Sequence, residues 1–317
     1  MKNQSMPLVS IVTPCYNGAL FLNNYFESIL KQDYPNLEVV IVNDGSKDDS
    51  MEIIQSYADV LKRNNIELIA INKDNEGQMK AVQDGVLSTH GEYLTWPDVD
   101  DIMEPTYISD KVSNMKNNPN VDILINPVEV YKFGDEDNPI GKVWSKPYKS
   151  KEELIYRFIE DKDSGYMPGA YMLKMDSLMK IYPDKRFYCG LKAGVAIPLV
   201  FPFIYSFNSI YMDKPLYKYF VHENNQHSKN ELRDIKNLEI LYNETFEYMK
   251  LSDEEKESLR RRIDNRCLQL QLGYAYRTMD KKSFYEVKRK LRENHAFRFK
   301  DLVKEIALKF GIKKGAS

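Results

Sequence analysis

The chain of 317 residues has few cysteines, no excess of basic charge and no apolar run long enough to cross a bilayer. Its three cysteines, Cys15, Cys189 and Cys267, are odd in number and widely spaced, which disfavours a disulfide framework or structural zinc site and fits a reducing compartment. Lys and Arg number 45 against 47 Asp and Glu, so no global positive field is available for nucleic acid. The most apolar stretch, 193–207, contains two prolines and is predicted to be buried core.

Two glycine-rich phosphate motifs are also missing. The first predicted strand ends in the segment 13–18, Thr-Pro-Cys-Tyr-Asn-Gly, which has one glycine where a dinucleotide fold needs G-x-G-x-x-G. No G-x-x-x-x-G-K-[ST] occurs either, so a nicotinamide or flavin dehydrogenase is disfavoured and a P-loop nucleotidase is excluded. Residues 1–7 are short and polar, so no signal peptide is expected.

The first hundred residues alternate between short apolar runs rich in β-branched residues and segments with helical spacing. The predicted strands are 8–13, 37–42, 66–71 and 92–96, and the predicted helices are 20–32, 49–64 and 77–87. This alternation predicts right-handed βαβ units and a mostly parallel sheet covered by helices on both faces. Ligands bind such sheets beyond the carboxyl ends of the strands, so the residues at those ends are the candidates for function.

The chain beyond residue 105 is less regular. Helical spacing recurs over 107–117 and 151–160, a strand is predicted over 121–131, and a polar loop or hairpin is predicted over 134–147. After residue 228 the sequence is helical. There, Ser252 with Glu255 and Ser283 with Glu286 each fit a capping box at a helix start.

Three carboxylates, Asp98, Asp100 and Asp101, follow the fourth predicted strand within four residues. Their mutual repulsion is unfavourable unless a cation is bound or water screens it. A hard divalent ion, Mg²⁺ or Mn²⁺, takes one or two protein carboxylates and completes its shell with substrate phosphates. The alternative is an exposed acidic turn, which the dipole of the following helix favours.

Two other strand ends carry polar residues with less specific signals. Asp44 can accept hydrogen bonds from a base imide or a ribose, or it only shapes the turn together with Ser46. Gly77 permits close backbone approach, and Lys80 in the following helical turn can meet a phosphate. The alternative for Lys80 is a solvated lysine after an ordinary turn.

The order and spacing of these residues resemble the family 2 glycosyltransferases, which have the GT-A fold. The resemblance covers about residues 8–105 and rests on the motifs Pro14-x-Tyr16-Asn17, Ser28 to Gln32 with Tyr34-Pro35, Val42 to Ser46, Asn75-x-Gly77, Gly91-Glu92-Tyr93 and Asp98-x-Asp100-Asp101. The later stretch from Lys214 to Tyr219, with His222 and Ser228, is similar to the segment that closes the donor site in capsule and cell-wall members. The implied fold class is α/β of the GT-A type, a Rossmann-like, mostly parallel sheet flanked by helices, with a C-terminal helical extension.

The resemblance implies inverting transfer of a sugar from a nucleotide-diphosphate donor, with a UDP-sugar favoured, to a saccharide or lipid-linked acceptor in surface polysaccharide synthesis. It implies Mn²⁺ or Mg²⁺ at Asp100, with His222 as a further metal contact. The implied donor-binding residues are Pro14, Tyr16, Asn17, Asp44, Asn75, Gly77, Lys80, Asp98 and Val99. It divides the chain into a nucleotide-sugar-binding half, 1–104, an acceptor-binding half of the same domain, 105–228, and a helical region, 229–317.

The general base is where the sequence departs from the family pattern. Relatives carry Gly-Glu-Asp or Gly-Gln-Asn a short distance before the segment that closes the donor site, and the Asp is the usual base. Here Ala196 falls near that position, and no carboxylate occurs between Asp184 and Asp213. Three explanations are open: Asp101 or Asp184 serves as base, the correspondence is shifted by several residues, or the chain is a non-catalytic partner of an active transferase. A sugar-nucleotidyltransferase is a further alternative, but the first turn lacks the Gly-rich loop that such an enzyme normally has.

The last predicted helix is amphipathic and basic. Its apolar residues follow i, i+3, i+4, i+7, i+8 and i+11, namely Phe299, Leu302, Val303, Ile306, Ala307 and Phe310. Between 298 and 314, six Lys and Arg accompany two acidic residues. Such a helix lies in an anionic membrane interface, or it packs on the domain with its charges in water. We expect a cytoplasmic protein, peripheral at the inner face of the membrane; the sequence leaves its oligomeric state open.

Overall fold

The fold is given by a computed structural model, which describes residues 6–161, 163, 166–191, 194–222 and 231–310. Contacts between Cα atoms divide the chain into two units, Met1–Asn225 and Gln226–Ser317. The predicted boundary at 104 lies inside the first unit, and the predicted region 229–317 lies inside the second.

The first unit combines strands and helices over its described residues. Its elements are β1 (Val9–Cys15), α1 (Leu22–Leu30), β2 (Leu37–Asp44), α2 (Ser50–Ser56), α3 (Ala58–Arg63), β3 (Glu67–Lys73), α4 (Gln78–Leu87), β4 (Tyr93–Thr95), β5 (Ile102–Met103), α5 (Tyr107–Asn117), β6 (Ile123–Ile125), β7 (Val128–Lys132), β8 (Gly141–Val143), α6 (Lys151–Glu160), β9 (Tyr171–Lys174), α7 (Met175–Ile181), α8 (Ala196–Ser206), β10 (Ser209–Tyr211) and β11 (Tyr217–Val221). Helix α8 is apolar and buried, as predicted for that stretch.

The larger sheet has seven strands among the described residues, in the order β10-β6-β9-β4-β1-β2-β3. Strands β4, β1, β2 and β3 run parallel, with Val12 opposite Val40 in the register, whereas β9 is antiparallel between β4 and β6. Strands β1 and β2 are almost wholly buried, as expected for central strands covered by helices. The predicted mostly parallel sheet is confirmed, and β1, β2 and β4 end at one edge.

The smaller sheet has four strands among the described residues, in the order β5-β11-β7-β8. Strand β5 begins directly after Asp101 and pairs with β11, where Met103 lies opposite Tyr217. Strand β11 ends one residue before His222. The smaller sheet therefore joins the chain that leaves the acidic loop to the chain that leads into His222.

Two predicted elements are divided in the structure. The strand predicted over 121–131 is β6 in the larger sheet and β7 in the smaller one. They are separated at Pro127, which has no N–H to donate to a ladder. The helix predicted over 49–64 is divided into α2 and α3 at Tyr57, whose N–H bonds to the carbonyl of Ile54 in a tighter turn. Of the loop or hairpin predicted over 134–147, the structure shows a hairpin, in which β8 pairs with the preceding strand β7.

The second unit is helical over its described residues. Its helices are α9 (Glu231–Phe246), α10 (Asp253–Arg277), α11 (Lys281–Glu293) and α12 (Phe299–Lys309). Their core contains the buried side chains Leu272, Ala275, Phe284, Leu291 and Leu308. None of the helices in the described part of the chain combines the length and the apolarity that a bilayer crossing requires.

One of the two predicted capping boxes is present. Ser252 and Glu255 bond reciprocally at the start of α10, as predicted. The box predicted at Ser283 is wrong, because α11 begins earlier and is capped by Asp280, whose side chain accepts the N–H of Ser283. An aspartate at this position also interacts favourably with the positive end of the helix dipole.

Candidate functional site

The loop after β4 brings three carboxylates together. Oxygen atoms of Asp98, Asp100 and Asp101 lie within 4.8 Å of one another, close enough to hold one metal ion. Asp101 is buried, and the other two side chains are half-buried. The sequence prediction that these residues share one edge of the parallel sheet agrees with this placement.

Burial and, secondly, the negative charge of Asp100 raise the pKa of Asp98 to about 7, although a hydrogen bond from Gln78 opposes the rise. Burial, followed by the negative charges of Asp100 and Asp98, also raises the pKa of Asp101 well above its ordinary range. Three acidic groups with poor access to water repel one another when ionised. A cation bound among them would remove that repulsion.

Asp101 is held firmly by the smaller sheet. Its Oδ1 accepts the N–H of Phe220 at 3.0 Å, and its Oδ2 accepts the hydroxyl of Tyr217 at 2.8 Å. The same tyrosine oxygen accepts the N–H of Asp98 at 2.9 Å. Both carboxylate oxygens of Asp101 thus fix the loop to β11, so its geometry fits a positioning role better than the role of a general base.

His222 reaches the acidic loop from the end of β11. Its Nε2 lies 2.9 Å from Oδ2 of Asp100, and its side chain is almost buried. The imidazole stacks on Phe21, with ring centroids 4.8 Å apart, and meets the edge of Phe133 at 5.9 Å. The structure therefore brings the two predicted metal residues into contact, although they are far apart in sequence.

The loops after β1 and β2 are tied to each other. Asn17, with a left-handed φ of 51°, donates its N–H to Ser46 Oγ at 2.9 Å and accepts the N–H of Lys47 at 2.8 Å. Tyr16, beside it, keeps an exposed side chain, and Pro14 is half-buried near the end of β1. These contacts fasten the turn after β1 to the loop after β2 and leave the ring of Tyr16 exposed beside them.

Asp44 organises the loop between β3 and α4. Its two carboxylate oxygens accept the N–H groups of Glu76 at 2.9 Å and Gly77 at 2.8 Å, and Asn75 donates its side-chain amide to the Asp44 carbonyl. Gly77 has a φ of 98°, which favours glycine. Asp44 therefore holds the loop between β3 and α4, rather than only the turn that follows its own strand.

The start of α4 connects this loop to the carboxylates. Gln78 donates its side-chain amide to Asp98 at 2.9 Å. Lys80 pairs with Asp84 one turn later at 2.5 Å and is half-buried. Val99 is buried, and a Cβ atom placed on Gly18 would lie 3.1 Å from it, so the acidic loop packs directly on the turn after β1.

Asp184 lies at the other edge of the sheet. The neighbouring Lys185 donates its ammonium to the carbonyl of Thr89 at 2.7 Å, in the loop that leads into the beginning of β4. Asp184 itself is exposed and lies 3.9 Å from Arg186. The proposal that Asp184 acts as the base does not fit the structure, because the carboxylate cluster follows the end of β4 and Asp184 accompanies its start.

Residue types alone did not identify three contributors to this site. Gln78 and Tyr217 hold the acidic loop, and Phe21 stacks on His222. The signal for Tyr217 lay in the segment 214–219, but only the following His222 received a role from it. Phe21 and Gln78 had no distinguishing pattern, since each is an ordinary residue at the beginning of a helix.

Glycosyl transferase family 2 is the family whose model matches the chain, over residues 10–182. An uncharacterised glycosyltransferase of Rickettsia typhi is 35% identical over 124 residues, which are 39% of this chain and 37% of that protein. A Haemophilus influenzae glycosyltransferase, also uncharacterised, is 28% identical over 156 residues, 45% of each chain. The matches thus span less than half the length of these curated relatives.

Two solved structures share the fold. The complex of S. aureus TarS 1-349 with UDP-GlcNAc has a TM-score of 0.66 at 17% identity, covering 96% of this chain and 92% of that one. The mannosyltransferase PcManGT from Pyrobaculum calidifontis, in complex with GDP-Man and Mn²⁺, has a TM-score of 0.58 at 16% identity, covering 97% and 80%. Since the family model matches more than half of the residues and the fold agrees, the chain belongs to glycosyl transferase family 2 and has a GT-A-like α/β fold.

Proposed function

We propose that this protein transfers a sugar from a nucleoside-diphosphate sugar to a saccharide or lipid-linked acceptor, with inversion and with a divalent cation. The observation that carries the proposal is the cluster of Asp98, Asp100 and Asp101, with His222 at 2.9 Å from Asp100, where the parallel strands end. TarS with UDP-GlcNAc and PcManGT with GDP-Man and Mn²⁺ support this class of donor and ion. The proposed setting is surface polysaccharide synthesis, with a UDP-sugar as the favoured donor.

The side chains present fit a hard divalent cation. Asp98, Asp100 and His222 would hold Mn²⁺ or Mg²⁺ through carboxylate oxygens and one imidazole nitrogen. Asp101 would act behind them, because both its oxygens already accept hydrogen bonds. A divalent ion held there supplies electrostatic stabilisation for the negative charge that develops on the leaving diphosphate.

The remaining donor residues would form the walls of the nucleotide crevice. Pro14, Tyr16 and Asn17 would contact the base and ribose from the end of β1. Asp44 would act mainly through the loop that it holds, placing Asn75 and Gly77 against the nucleotide. Val99 would close the floor, and Lys80 in the first turn of α4 would lie on the phosphate side.

The acceptor hydroxyl still needs a general base. Asp101 is bonded to β11, and Asp184 lies at the opposite edge of the sheet. This pair of observations favours a second candidate function, that of a donor-binding subunit that pairs with an active transferase. The two functions differ in one measurable property, which is turnover of the donor.

Removal of the Asp100 carboxylate tests the proposed site. We expect Asp100→Ala to lower the Mn²⁺-dependent affinity for UDP by about 100-fold or more, because a direct metal contact is lost while the fold remains. Asp184→Ala is the control and should leave UDP affinity unchanged. Isothermal titration with and without Mn²⁺ measures both variants, and an Asp100→Ala variant that binds Mn²⁺ and UDP normally would refute the proposed site.

Assays of the unmodified chain with UDP- and GDP-sugars then separate the candidate functions. Release of UDP or GDP, or transfer to a saccharide or lipid-linked acceptor, supports the transferase. Tight Mn²⁺-dependent binding with no turnover over a broad panel supports the partner subunit. Formation of a nucleotide sugar from a nucleoside triphosphate and a sugar phosphate would instead identify a nucleotidyltransferase.

A further inference from the structure

The last described helix, α12, is attached to the second unit by one face only. Leu308 belongs to the core of the unit. Asp301 is buried and accepts the side-chain amide of Gln269 at 2.9 Å, and Glu305 pairs with Lys288 at 2.7 Å. These three residues of α12 lie on the side that meets α10 and α11, and they fix the orientation of the helix.

The opposite side of the helix is apolar and faces solvent. Phe299 and Phe310 are 82% and 77% exposed, and Val303 and Ile306 between them are 53% and 48% exposed. Leu302 is exposed beside them. We call these five residues the α12 face. A surface helix of a soluble domain normally buries its apolar stripe, so this reversed orientation marks an interaction surface.

Basic residues border the α12 face on both sides. At 100° per residue, Lys300 and Lys304 lie along one side of the stripe, and Arg298 and Lys309 lie along the other. The surrounding segment 281–310 contains ten Lys and Arg against four Asp and Glu, although the whole chain has a formal charge of −2. Positive charge is therefore concentrated around the exposed apolar residues.

We propose that the α12 face docks into the interface of a bilayer that contains anionic phospholipid. Apolar side chains of an amphipathic helix enter the boundary between headgroups and acyl chains, while Lys and Arg at its rim meet the negative headgroups. A second copy of the chain is a poorer occupant, because two identical faces would bring two basic rims together. The docking does not depend on the proposed catalytic function.

Vesicle sedimentation of the full chain tests the docking. We expect the protein to sediment with phosphatidylcholine vesicles that contain about a third phosphatidylglycerol, and to be released from them by high salt. Its binding to pure phosphatidylcholine vesicles should be weaker by at least about tenfold. The double variant Val303→Ser/Ile306→Ser should bind the anionic vesicles at least about tenfold more weakly, because less apolar surface enters the bilayer interface. Both positions are exposed, so the variant keeps the core intact.

The matched control is Ile140→Ser/Leu232→Ser, which removes two aliphatic side chains that are 65% and 48% exposed elsewhere on the chain. The control should bind vesicles like the unmodified protein. Absence of binding to anionic vesicles, equal binding by Val303→Ser/Ile306→Ser, or an equal loss in the control would each overturn the proposal. A concentration-dependent dimer in sedimentation velocity, abolished by the α12 variant and unaccompanied by vesicle binding, would show that a second copy covers the α12 face instead.

Discussion

Tyr217 connects the two segments that form the candidate metal site. Its hydroxyl accepts the N–H of Asp98 and donates to Asp101, while its own strand continues into His222. Its ring lies against the backbone of Gly169, where a Cβ atom would come within 2.4 Å of it. The tyrosine is fully buried, so it is not exposed to a bound nucleotide sugar. We infer that it positions the carboxylates relative to the histidine.

The substitution Tyr217→Phe tests this positioning role. It leaves the ring in place but deprives the Asp98 N–H and the Asp101 carboxyl group of a partner, which we expect to cost about 1–3 kcal/mol in free energy of unfolding. We also expect Mn²⁺ affinity to fall by about 10–100-fold, as when a residue that orients a metal ligand is lost. Urea unfolding and Mn²⁺ titration measure the two effects.

Tyr34→Phe is the matched control for Tyr217→Phe. Tyr34 is also a buried tyrosine, and its hydroxyl donates to the Pro7 carbonyl at 2.6 Å, before the start of β1. This variant should lose stability but retain Mn²⁺ affinity. If both variants lose Mn²⁺ affinity equally, Tyr217 contributes only to folding and has no positioning role.

At the scale of the strands, a buried carboxylate ties together the edge of the larger sheet that lies opposite the site. Glu38 in β2 accepts hydrogen bonds from Ser10 Oγ at 2.5 Å, from His90 N at 2.6 Å and from Gly91 N at 3.0 Å. Burial alone would raise the pKa of Glu38, but the hydrogen bonds from Ser10 and His90 outweigh it and lower the pKa from its ordinary value of 4.5. The starts of β1 and β2 and the approach to β4 are thereby joined at one charged group.

This lowered pKa predicts a pH dependence of stability. A carboxylate whose pKa is lower in the folded chain contributes stability that is present above its ordinary value of 4.5 and is lost as pH falls through the lowered pKa. We therefore expect Glu38→Gln to be less stable than the unmodified protein by about 1–3 kcal/mol at neutral pH. The difference should shrink as pH falls below 4.5, which urea unfolding over a pH series measures. A difference that stays constant over the series would contradict the assignment.

At the scale of the whole molecule, the two units have separate cores. Buried residues of the larger sheet, such as Leu94, fill the first, and Leu272, Phe284 and Leu291 belong to the second. All described residues of the candidate metal site lie in the first unit. We therefore expect damage to the second core to leave donor binding intact.

The substitution Leu291→Ala tests the independence of the two units. It should destabilise the second unit by about 2–5 kcal/mol through the cavity that it leaves, while Mn²⁺-dependent UDP affinity changes by less than about twofold. Leu94→Ala, equally buried in β4, is the comparison and should lower both stability and UDP affinity. Thermal unfolding and titration measure the two properties. A large loss of UDP affinity in Leu291→Ala would show that the second unit supports the site.

Local patterns in the sequence were sufficient to predict the strands of the first hundred residues, their mostly parallel pairing and the place of the acidic loop. Apolar runs with period two and helical segments alternate there, and βαβ units permit few arrangements. The residues at the ends of β1, β2 and β4 had to meet, because parallel strands end at a common edge. The predicted strand over 121–131 was wrong as one element, since the transfer of the chain from one sheet to the other depends on partners distant in sequence.

The parallel sheet and the acids at its carboxyl edge are encoded locally, because both follow from spacing between near neighbours. Which distant groups join those acids depends on how remote strands pair in the folded chain. The pairing of β5 with β11 brings His222 to Asp100, while the course of the chain after α7 leaves Asp184 at the other edge. The orientation of α12 was likewise open in the sequence, since an amphipathic stripe has the same spacing whether it faces a core or solvent. Its outward direction depends on the contacts that Asp301, Glu305 and Leu308 make with the neighbouring helices.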